Sequence, residues 1–138
     1  MILLISVFAT LMMTAFSYIC GYISGNQFRE PELLNQLINT SSLPLRPEKK
    51  SLVGWLLHVL LGFLFAEMLL LSLEYTKLSP NWIFALISGV VAGIIGILGW
   101  QIMFSLNPDP PEIRLKNFYL QLVVAHVVFS LSFIFIIE

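Results

Sequence analysis

Residues 82–106 read WIFALISGVVAGIIGILGWQIMFSL, a run with no charged side chain and Gln101 as its most polar group. About 20 mostly apolar residues suffice for a helix to cross the hydrocarbon of a bilayer, and this run exceeds that. Lipid offers backbone N–H and C=O groups no partner, so the run must satisfy its own hydrogen bonds as a helix. Three more runs of the same kind flank it. The first spans about residues 2–25. The second, 52–73, carries His58 and Glu67, and the fourth, 118–137, carries Gln121 and His126.

The whole composition agrees. The chain has 138 residues, 58% hydrophobic and 11% charged, with a mean hydropathy of +0.90. Soluble domains are about a quarter charged. The expected fold is an all-α membrane protein: one domain over 1–138, with four transmembrane helices in an antiparallel up-and-down bundle. A net charge of −1 gives no pull towards nucleic acid. Cys20 is the single cysteine, which excludes an intramolecular disulfide and thiol-pair redox chemistry. No Lys or Arg precedes Arg29, so the first run lacks the basic start of a signal peptide and is expected to be retained.

The connections also carry structure. The longest, 26–51, holds Leu33, Leu34, Leu37 and Ile38 at helical spacing after Pro31, which predicts a short interfacial helix over 31–38. The remainder, Asn39 to Lys50, reads as flexible. Ser79 before Pro80 reads as the cap of the third span. Asp109 and Glu112 read as a capping box that starts the fourth helix near Pro110. Arg29, Arg46, Lys49 and Lys50 in the first connection and Arg114 and Lys116 in the third outnumber Lys77 in the second. That asymmetry puts loops 26–51 and 107–117 in the cytoplasm and both termini outside, in a plasma membrane expected to be a bacterial inner membrane. A faint repeat pairs Pro31-Glu32 and His58 with Pro111-Glu112 and His126.

Some residues inside the spans call for a partner. Ala85, Gly89, Gly93 and Gly96, with Ala92, line one side of the third span as a small-residue seam for helix packing, or for a homo-oligomer. His58 and His126 lie about 9 Å and about 12 Å from the cytoplasmic ends of their spans. At similar depth they could give both axial ligands of a b-type haem; the bland alternative is a pair of neutral imidazoles bonded to neighbours. Cys20 adds at most a third ligand, which is too few for a closed zinc site. Glu67 is the carboxyl inside a span, a candidate for proton or cation binding in transport, or a neutral donor to Thr10, Thr14 or Ser88. It lies about 2.5 turns from His58, on the opposite side of the helix. Trp55, Trp82, Trp100, Tyr18, Tyr22, Tyr75 and Tyr119 gather near span ends as an aromatic belt. Glu112, Arg114, Arg29, Glu30 and Glu32 read as loop charges on the face where a cytoplasmic partner would dock.

In length and span count the chain resembles the small multidrug transporters. That resemblance implies an essential carboxyl in the first span, where 2–25 has none. No nucleophile–base arrangement, phosphate loop or metal motif is present, so no enzyme is expected. The leading expectation is a non-catalytic accessory or structural membrane subunit, as a homo-oligomer or as part of a larger membrane complex. A transporter using Glu67 and a haem subunit using His58 and His126 are the alternatives.

Overall fold

The computed structural model describes all 138 residues and is entirely helical. Its elements are α1 (Ile2–Ser24), α2 (Glu30–Thr40), α3 (Leu52–Thr76), α4 (Trp82–Leu106) and α5 (Leu115–Ile137). Four of them, α1, α3, α4 and α5, are long and apolar enough to cross a membrane. Their outward faces carry Leu4, Ile19, Leu56, Leu71, Ile87, Ile102 and Phe135, each more than half exposed. Small and polar side chains turn inward instead: α1 buries Ser6, Thr10, Thr14 and Ser17, and α3 buries Gly54, His58, Gly62 and Ala66. An apolar outside around a partly polar inside is the arrangement that lipid as a solvent selects.

The helix ends differ from the sequence expectation at two places. Asn81, not Ser79, caps α4, its Oδ1 accepting from the Phe84 N–H at 2.9 Å. Proline at position 80 therefore lies outside the helix. The fourth long helix starts at Leu115 and not at Pro110, and the capping box of Asp109 and Glu112 does not form. Asp109 instead donates its N–H to Asn107 Oδ1 at 2.9 Å. Each residue before a proline is pushed towards extended backbone, and the consecutive prolines 110 and 111 hold that stretch out of helix. At the end of α1, Gly25 takes the left-handed conformation, φ 67°, that terminates a helix.

The long helices pack as a row. Contacts join α3 to α1, α1 to α5 and α5 to α4, while α2 lies against α3. Gly89 and Gly93 bring α4 onto α5: a Cβ at either would stand 2.6 Å from Val127 Cα or 2.7 Å from Val123 Cα. Thr10 meets Gly62 where α1 crosses α3. The two flanking members of the row, α3 and α4, do not pack on each other along their length, and a cleft separates them.

Connection 26–51 is tied down at several points. Asn35 donates to the carbonyls of Lys49 (3.0 Å) and Ser51 (2.7 Å) and accepts from the Gly54 N–H at 2.7 Å. Asn39 holds the Pro47 carbonyl at 3.0 Å, within the stretch read as flexible. Asn107 donates to the Leu37 carbonyl at 2.7 Å and accepts from Thr40 Oγ1 at 3.0 Å, so the first and third connections meet at one end of the molecule.

Candidate functional site

The inward hydroxyls of α1 form a stripe because 3- and 4-residue steps keep to one helix face. Most of them satisfy themselves. Ser6 donates to the Leu3 carbonyl (2.9 Å), Thr10 to the Ser6 carbonyl (2.7 Å) and Thr14 to the Thr10 carbonyl (2.6 Å). Thr14 and Ser17 also reach other helices, and those two contacts build the site.

Ser17 Oγ donates to Glu30 Oε1 at 2.7 Å and accepts from Gln121 Nε2 at 2.5 Å, a chain of donors running from α5 through α1 to α2. Glu30 is the first residue of α2 and only 1% exposed. Its Oε2 has no partner, and neither has Gln121 Oε1. Burial pushes the Glu30 carboxyl up to about 7, against the opposing pull of the Ser17 and Gln121 hydrogen bonds. Glu32 is buried as well, beside Arg29 (3.5 Å) and Lys49 (3.7 Å). The expectation that Glu30 and Glu32 are solvated loop charges is therefore corrected, whereas Glu112 and Arg114 are exposed.

The histidines have assignable tautomers. His126 Nδ1 lies 2.8 Å from the Leu122 carbonyl, which can only accept, so Nδ1 carries the proton and Nε2 the lone pair. His58 Nε2 lies 2.9 Å from Thr14 Oγ1. The Thr14 proton is committed to the Thr10 carbonyl, so His58 donates through Nε2 and its Nδ1 keeps the lone pair. Gly96 makes room for the second ring: a Cβ there would stand 2.9 Å from His126 Cε1. Phe65 meets the same ring edge-on, centroids 5.0 Å apart.

Glu30, His58 and His126 line one chamber of about 310 Å³ with Thr10, Trp100 and Gly99. A second chamber of about 440 Å³ continues from it between α3 and α4, sharing Phe65, Ile95 and Phe129 in its walls. Both volumes fall within the range of about 300–1,000 Å³ that small-molecule sites occupy. The lining of the second is mostly apolar, with Ser72, Thr76, Asn81, Ser88 and the unpartnered Ser130 hydroxyl as its polar groups. No three His, Cys, Asp or Glu side chains converge as a metal-binding group.

The other residues singled out in the sequence fall elsewhere. Glu67 is half-buried on α3, lines neither chamber and bonds none of Thr10, Thr14 and Ser88, whose protons go to main-chain carbonyls. Cys20 is half-buried against the core. Ala85, Gly89, Ala92 and Gly93 are buried, and Gly96 faces the polar chamber. Tyr22, Tyr75 and Trp82 are exposed near helix ends, but Trp100 turns inward and meets Phe118 edge-on at 5.1 Å. Sequence reasoning missed Glu30. The signal that could have found it was the pair Ser17 and Gln121, polar groups inside two spans that each need a partner. No known protein family, curated protein or solved structure matches the chain.

Proposed function

We propose that this is a non-enzymatic accessory protein of the plasma membrane that holds a lipid-phase molecule in the cleft between α3 and α4. The observation that carries this reading is the cleft itself, ligand-sized, open on its apolar rim and polar at one end. In this reading the four long helices form an antiparallel up-and-down bundle and α2 lies near the cytoplasmic interface. Connections 26–51 and 107–117 face the cytoplasm and the termini face outward. Their mutual hydrogen bonds through Asn107 support a common side for the two connections, and their basic residues support the cytoplasmic one. The exposed Glu112 and Arg114 are then available to a larger complex or a second copy.

Gly99 gives the test. A Cβ at this position meets nothing within 4 Å, and the residue lines the polar chamber. Gly99→Leu therefore adds bulk at the chamber's exposed wall, where the new Cβ meets no neighbour. Native mass spectrometry of the purified protein is expected to find a bound small molecule on the wild type and not on Gly99→Leu. Equal adducts on both, or none on either, overturn the reading.

Haem between His58 and His126 is a separate use of the same chamber, favoured by the fact that both rings line it. It would require His58 to release Thr14 or to ligate through Nδ1. Oxidised and reduced absorption spectra after expression with added haem decide it; we expect no Soret band. In the transport alternative, Glu67 is the acid that works. The cleft reading gives it no part, and Glu67→Gln is expected to leave the bound molecule in place.

A further inference from the structure

Three residues that line the chamber keep an unused acceptor. Glu30 Oε2 has no partner, His126 offers its Nε2 lone pair and His58 its Nδ1 lone pair. Thr10, on the same wall, has already given its proton to the Ser6 carbonyl. The one free donor among the lining side chains is the Trp100 indole N–H. A site built of acceptors around a carboxyl calls for a ligand that brings donors and, when that carboxyl is ionised, positive charge. The lining also includes the aromatic residues Phe65, Trp100 and Phe129, a residue class whose ring faces attract cations.

The approach to the chamber narrows the class further. Leu61 and Ile95 on its walls are 41% and 40% exposed, and the second chamber beyond Phe65 and Phe129 is lined by Met68, Ile87 and Val91. From His58 to Thr76 along α3 this path measures about 27 Å at about 1.5 Å per residue. An apolar trough of that length, ending in a carboxyl and two imidazoles, fits a chain with a head.

We propose that the cleft binds a single-chain amphiphile with a primary ammonium head, the head held by Glu30, His58 and His126 and the chain laid between α3 and α4. This rests on the reading of the cleft as the binding site. Primary ammonium supplies three N–H donors to three acceptors, whereas a trimethylammonium head supplies charge alone. Binding weakens in acid, since protonation of Glu30 removes the charge that faces the head. The other titratable groups around Glu30 are Tyr18 on α1, Arg29 and Glu32 beside it, Lys49 in the connection, His58 on α3 and His126 on α5. Arg29 and Lys49 face Glu32. Cationic forms of the two histidines would repel the ligand, so they act in the same direction as Glu30.

The experiment uses the full-length protein with Trp55→Phe and Trp82→Phe, leaving Trp100 as the fluorophore on the chamber wall. Dodecylamine, dodecyltrimethylammonium, dodecanol and dodecanoate are titrated in detergent micelles at pH 8 and pH 5.5. Dodecylamine is expected to change the Trp100 emission saturably at pH 8, at least tenfold more tightly than the other three, and to lose at least tenfold at pH 5.5. Glu30→Gln is expected to remove the preference for the amine and its pH dependence, with dodecanol affinity unchanged. Gly99→Leu is expected to abolish every response. If the four probes bind alike and Glu30→Gln changes nothing, the ammonium assignment is overturned while the cleft stands as a site. If no probe responds, or Gly99→Leu responds as the parent does, the cleft reading falls with it.

Discussion

Glu30 shows what a buried acid costs and what its neighbours recover. Its carboxyl titrates at about 7 in the folded chain against an ordinary 4.5, so the folded state holds a proton that the unfolded state has released between those values. Stability from this group is complete below about 4.5 and falls as pH rises towards about 7. Glu30→Gln keeps an acceptor for Ser17 and removes the charge. It is expected to stabilise the ligand-free protein at pH 8, by up to roughly 3 kcal/mol, and to change little at pH 4.5, which thermal unfolding in detergent at the two pH values measures. The same logic applies to Thr14 with the opposite sign. Thr14→Val keeps the shape but leaves the His58 Nε2–H without an acceptor, a loss of about 1–3 kcal/mol in the same assay. Neither effect was legible from residue type. Glu30 lies among the loop charges Arg29 and Glu32 in the sequence, and only the docking of α2 takes it out of water.

At the scale of elements, glycine serves two purposes on α4. Gly89 and Gly93 have α5 backbone where a side chain would go, and Gly99 has empty space. Gly89→Leu is therefore expected to lower stability by about 1–3 kcal/mol through overpacking, or to split α4 from α5. Gly99→Leu is expected to unfold no more easily than the parent, because leucine is the better helix former by several tenths of a kcal/mol. Comparing the two in one denaturation series separates a packing seam from a cavity wall. The sequence spacing predicted the seam because both glycines fall on one helix face. It left Gly99 out of the seam, but it could not separate Gly96 from the other two, since these three share a face and differ only in what stands opposite: α5 backbone at Gly89 and Gly93, the His126 ring at Gly96. The helix starts failed for a related reason. Capping patterns are local, and the proline pair at 110 and 111 overrode the Asp109–Glu112 pattern within the same few residues.

For the whole molecule, hydropathy decided the four long helices because a lipid solvent leaves few alternatives. Their order in the row, and so the gap between α3 and α4, is a matter of side-chain fit that no periodicity encodes. The proposed orientation has its own test. With Cys20→Ser as background, Leu45→Cys and Leu78→Cys place single thiols at exposed positions in the first and second connections. A membrane-impermeant maleimide applied to intact cells is expected to label Leu78→Cys and spare Leu45→Cys; the reverse pattern inverts the assignment of sides. If the cleft binds as proposed, the gap between α3 and α4 also determines which pool of ligand the protein reads. A molecule that enters between two helices comes from the bilayer, by lateral diffusion, and its occupancy follows its mole fraction among the lipids. Partitioning concentrates a long-chain solute there before any contact with Glu30 is made. A site with modest intrinsic affinity can then stay filled while the aqueous concentration is negligible, and it empties when the surrounding lipid composition changes.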